Sequence, residues 1–90
     1  MLMIRHSIGS RLLYQSDIYD IEKQDERWLI SVPVDEETAS RVLVFMDELN
    51  IFEVNENEKT WFYSSDAQIN FQPKDKQLTI LADHKTVYPT

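Results

Sequence analysis

Residues 27–50 read RWLISVPVDEETASRVLVFMDELN, and the period of their apolar positions changes midway. The first half alternates. Trp28, Ile30, Val32 and Val34 are apolar at period two, so one face of a strand is apolar. Pro33 has no N–H to give to a ladder, which places it at an edge or at the strand's end. The second half changes period. Asp35 is a natural N-cap, and Glu36 and Glu37 fall in a first turn, where carboxylates favour the helix dipole. Ala39, Val42, Leu43, Met46 and Leu49 then recur at helical spacing. The spacing predicts a helix over 36–49.

Outward from this stretch the chain reads as short strands and turns. Gly9-Ser10 marks a turn. Leu12 to Tyr14 and Ile18 to Ile21 look extended, and Gln24-Asp25-Glu26 fits a hairpin tip. Phe52 and Val54, Trp61 to Tyr63, Ile69 and Phe71, and Leu78 to Ala82 read as further strands. The tail from Asp83 lacks periodicity and is expected to be loosely ordered from about residue 84. The expected fold is α+β: one domain over 1–90, an antiparallel sheet of about five or six strands, and the helix packed on one face.

Composition narrows the function classes. The chain has 90 residues, 42% of them hydrophobic and 11% aromatic, which supports a core and argues against disorder. It has no cysteine, which removes disulfides, thiolate metal sites and thiol catalysis. Cysteine-free small domains fit a reducing interior, so a cytoplasmic location is expected. No apolar run reaches the roughly 20 residues a membrane span needs. Gly9 is the only glycine, so phosphate-cradling loops and nucleophile elbows cannot take their usual form.

The charge is uneven. Residues 17–58 hold 13 of the 16 carboxylates and only three bases, Lys23, Arg27 and Arg41, a formal net of −10. The rest of the chain carries three acids and six bases, a net of +3. Such a field attracts cationic partners and repels nucleic acid and anionic membranes. Asp17, Asp20, Glu22, Asp25 and Glu26 cluster around one expected hairpin. Asp20 and Glu22, two apart on a strand, would stand roughly 6.6 Å apart on one face, close to two base steps of a DNA strand. A surface so built imitates a phosphate row. The plainer alternative is a solvated, solubilising surface.

Other constellations have plain structural readings. His6 and His84 lack the additional ligands a zinc site needs and read as exposed residues near the two ends. Ser64-Ser65-Asp66 reads as a polar turn, since a hydrolase would also need a base and an oxyanion hole. Asp35-Glu36-Glu37 is explained by capping. No catalytic, metal or cofactor residue is assigned. Trp61-Phe62-Tyr63 is different. Period two sends one ring opposite to the other two, and a ring on an open sheet face is an interface candidate.

The chain is therefore read as a non-enzymatic acidic binding protein. It would act as an inhibitor on the basic, nucleic-acid-binding surface of a target protein, such as a nuclease or host-defence complex. Asp17, Asp20, Glu22, Asp25 and Glu26 would steer, and Trp61 or Tyr63 would anchor. Direct nucleic-acid or membrane binding is not expected. The alternative is a small structural or regulatory subunit that homodimerises through its open sheet face. A small enzyme is the third class. In size, acidity and expected α+β make-up the chain is similar to phage-encoded nuclease inhibitors and toxin-neutralising immunity proteins. That likeness is compositional, covers no alignable motif, and carries over no residue.

Overall fold

The computed structural model describes residues 1–63 and 68–89. Among these the chain forms nine strands and one helix: β1 (Leu2–His6), β2 (Leu12–Ser16), β3 (Asp20–Gln24), β4 (Arg27–Pro33), α1 (Glu36–Leu43), β5 (Leu49–Val54), β6 (Glu58–Tyr63), β7 (Gln68–Gln72), β8 (Gln77–Ala82) and β9 (His84–Pro89). They make two antiparallel sheets, one in the order β2-β1-β5-β6-β9 and one in the order β3-β4-β8-β7. This overturns the α+β expectation of a single sheet with a helix across one face. The molecule is a small β-rich fold in which each sheet covers the other.

The reason is one of size. An eight-residue helix is about 12 Å long, whereas five strands span about 20 Å at 4.8 Å spacing. The helix cannot cover such a sheet; a second sheet can. The core draws on both. Leu2, Ile4, Ile51 and Phe62 come from the first, and Ile30, Val32, Leu78, Ile80 and Ala82 from the second, each at most 3% exposed. The Trp28 and Phe62 rings meet across the gap with centroids 6.3 Å apart. The alternation of Trp28, Ile30 and Val32 thus faces inward, and Pro33 closes β4 opposite Gln77.

The helix is shorter than its periodicity implies. Asp35 caps it through a Thr38 N–H bond of 2.7 Å, and Ala39 and Val42 reach the core. After Leu43 the backbone tightens to i→i+3 bonds, Phe45 N–H to Val42 and Met46 N–H to Leu43. Met46 is 36% exposed, and Leu49 already pairs with His6 as the start of β5. The 36–49 helix is therefore corrected to Glu36–Leu43. Strand pairing satisfies the backbone of Leu49 and Asn50 at least as well as helix would, and it also seats Leu49 against the core.

A register shift between Ile4 and Arg5 places Leu13 as an extra residue in β2. This bulge lets both Leu13 and Tyr14 turn inward, Leu13 to the core and the Tyr14 hydroxyl to the Pro33 carbonyl at 3.0 Å. Residues 84–89, which show no periodicity, pair along β6 as β9.

Candidate functional site

Four of the five singled-out carboxylates lie on one hairpin. Asp20 and Glu22 are on β3, the edge strand of the second sheet, opposite Ser31 and Leu29 of β4. Ile21 pairs with buried Ile30, so Asp20 and Glu22 point away from the core. Asp25 and Glu26 form the two-residue tip, between the Gln24–Arg27 pair. Asp25 takes φ 58°, a left-handed conformation that aspartate tolerates better than most residues. Asp17 precedes β3 in the connection from β2. All five side chains are exposed, and no ion pair among the described residues neutralises them. Next to the tip, Gln24, Asp25, Glu26, Arg27 and Leu81 line an open hollow.

Tyr19 ties this acidic end to the first sheet. Its hydroxyl donates to Glu53 at 2.7 Å. Burial first, then the Glu53 carboxylate, pushes the phenol up to about 12. A second ionised group here would meet Glu53 directly, so the neutral phenol is the form that fits.

Trp61 and Tyr63 lie elsewhere. Phe62 is in the core, so its neighbours on β6 face outward from the first sheet. Register places Gln15, Met3, Phe52, Trp61 and Thr86 in one outward row, with Tyr63 beside His84. The rings pack on one another. Trp61 and Tyr63 have centroids 4.3 Å apart, and Tyr63 and His84 stack at 5.2 Å and 16°. The Trp61 indole N–H donates to Asn50 Oδ1 at 3.0 Å, and Lys59 Nζ sits 4.2 Å above the Phe52 ring.

The sequence reading joined the acids and the aromatics in one interface. The structure does not. Asp20 and Glu22 face outward from one sheet, Trp61 and Tyr63 from the other, with the core between them. Sequence reasoning also missed Phe52, Lys59 and Asn50 as companions of Trp61. A signal was present: Lys59, Trp61 and Tyr63 recur at period two on a strand whose middle ring is buried.

The histidines part ways. His6 is 15% exposed in its side chain and bonds Glu48 at 2.6 Å, which corrects its reading as an exposed end residue. His84 is 53% exposed. The Ser64-Ser65-Asp66 turn lies outside the described residues. Among the described residues no three His, Cys, Asp or Glu side chains converge as a metal site, and no helix is long and apolar enough to cross a membrane. No protein-family model matches the chain, and comparison with curated proteins and with solved structures gives no match.

Proposed function

We propose that this chain is a non-enzymatic binding protein whose acidic β3–β4 hairpin engages a basic surface of another protein, of the kind that otherwise holds nucleic acid. The observation that carries the reading is the placement of Asp20, Glu22, Asp25 and Glu26 on one exposed edge hairpin, with no ion pair among the described residues to neutralise them. Unpaired like charge opposes folding, so its concentration on a protruding edge is better explained by attraction than by stability. In that role the protein would inhibit its target by occupancy. The aromatic residues belong to a different face and are no part of this contact.

The test compares wild type with Asp20→Asn/Glu22→Gln as bait for basic proteins at low salt. Wild type should retain a partner that leaves in a salt gradient, and the double variant should lose it. Retention that ignores both salt and the two carboxylates would show the acidic edge to be merely solvated. The second reading is a subunit that self-associates through its open sheet face, and the half-buried Trp61–Tyr63 ladder on the first sheet favours it.

A further inference from the structure

The outer face of the first sheet is an exception in this molecule. The chain is −7 overall. Yet among the described residues the outward strand positions of this sheet hold Arg5 and Lys59 and not one carboxylate. Phe52 stands between the two cations, and Trp61 and Tyr63 follow Lys59 along β6. Among the described residues nothing covers them, because the helix packs beside β2 and the second sheet lies on the opposite side.

The ring geometry narrows what could sit there. Nucleobases need free ring faces to stack on. Here Trp61, Tyr63 and His84 use their faces on one another, and Lys59 covers a face of Phe52. The edges of these rings carry the positive end of the aromatic quadrupole. Ring edges flanked by a guanidinium and an ammonium suit carboxylates. A symmetric contact of this face with itself would bring together two surfaces whose charged side chains, Arg5 and Lys59, are all cationic, with no carboxylate to pair them.

The chain itself supplies a matching anion. Arg5 pairs with Asn50 on β1–β5, and Lys59 with Val54 on β5–β6. Two strand spacings across and four residues along set these cations about 16 Å apart. Five residues along the hairpin edge, from Asp20 to Asp25, also span about 16 Å. The two surfaces look in opposite directions, so a hairpin cannot reach the face of its own molecule, and both remain available at once.

We propose that the outer face of the first sheet is a docking surface for the acidic β3–β4 hairpin of a second copy of this chain. This rests on the reading of the hairpin as a binding element. The contact is heterologous, since each copy offers a hairpin to one neighbour and a face to another. Copies therefore add head to tail, and a chain of them grows unless the rotation closes a ring.

Sedimentation at low salt tests this over a rising range of protein concentration. Wild type should climb from the 10.7 kDa monomer past the dimer, and high salt should return it to monomer. Asp20→Asn/Glu22→Gln removes two carboxylates from the hairpin edge, and Arg5→Glu/Lys59→Glu inverts the charge of the face. Each should stay monomeric alone. Mixed, they should form a one-to-one pair and stop there, because only one good hairpin and one good face remain. Should Arg5→Glu/Lys59→Glu lose its cooperative melt, Lys59→Gln replaces it and should reduce the mass gain. A wild type that stays monomeric overturns the proposal. So does self-association that survives the hairpin variant, since that is a symmetric dimer. Binding of single-stranded oligothymidylate through Arg5 and Lys59 without self-association also overturns it. If wild type is monomeric but its hairpin still retains a basic partner, the docking surface fails and the proposed function stands.

Discussion

His6 Nε2 lies 2.6 Å from Glu48 Oε2 and fastens β1 to the turn that follows the helix. The same imidazole packs on Phe45 with centroids 4.2 Å apart, and the Ser7 N–H donates to the Glu48 carbonyl at 2.7 Å. Three contacts thus hold residues 45–48 away from a helical path. Glu48→Ala should cost about 0.5–1.5 kcal/mol, the usual worth of one hydrogen bond, read from the urea midpoint. An unmoved midpoint would mean that the Phe45 stacking and the Ser7 bond hold the turn unaided.

Adjacent rings on β6 should behave differently. Phe62 is 3% exposed, and Phe62→Ala should cost about 3–5 kcal/mol as buried aromatic truncations do. Trp61→Ala removes a bond to Asn50 and a ring contact on the open face, together about 1–3 kcal/mol. Denaturant melts of the two variants check the ordering. A larger loss for Trp61→Ala would mean that its face is covered.

Asp35 gives an acid-side prediction. Hydrogen bonds from Thr38 hold its carboxyl below the ordinary value of 3.8. A lowered folded-state pKa means that ionisation favours the fold above that value, and this contribution is lost as pH falls through the lowered one. Asp35→Ala should lower Tm at neutral pH, and the gap from wild type should close under strong acid. A gap of constant size across that range would show that the cap does not act through its charge.

Tyr19 gives the alkaline counterpart. Its phenol is raised to about 12 from 10.0, so the unfolded chain loses this proton first. The contribution is complete below pH 10 and drains away as pH rises toward 12. Phenolate absorbance should show Tyr19 titrating late, and Glu53→Gln should bring it earlier. Unchanged titration in that variant would leave burial as the whole cause.

The acidic hairpin should be neutral or costly to the fold. Asp20→Asn/Glu22→Gln should leave Tm equal or slightly higher at low salt, because it relieves self-repulsion. A clear drop in Tm would give these carboxylates a structural role and weaken the binding reading.

Much of the local structure was legible. The Asp35 cap, the inward alternation of Trp28, Ile30 and Val32, and the hairpin tip at Asp25-Glu26 are decided by neighbours in sequence. What was not legible depends on distant partners. Val44 to Leu49 continue a helical pattern, and only His6, Ser7 and the β1 backbone pull them out of it. His84 to Tyr88 carry no periodicity of their own, because as an edge strand they bury little. The division into two sheets was hidden for the same reason. Alternation marks which side of a strand is apolar; it does not say whether a helix or another sheet will cover that side. The hairpin and Trp61 were each found, but their placement on opposite sides follows from that division.

The order of the hairpins has a kinetic consequence. β1–β2 joins the first sheet, β3–β4 the second, β5–β6 the first and β7–β8 the second. Each hairpin is local and forms within microseconds, but its lateral neighbours are remote in the chain: Leu2 meets Glu53, and Trp28 meets Ala82. Neither sheet can be completed until most of the chain is in place. Half-assembled hairpins expose bare edges and unburied apolar sides, so the rate-limiting step gathers both sheets together. Folding should be slow for 90 residues, in the millisecond-to-second range of non-local β topologies, and should leave no stable half to be isolated by truncation.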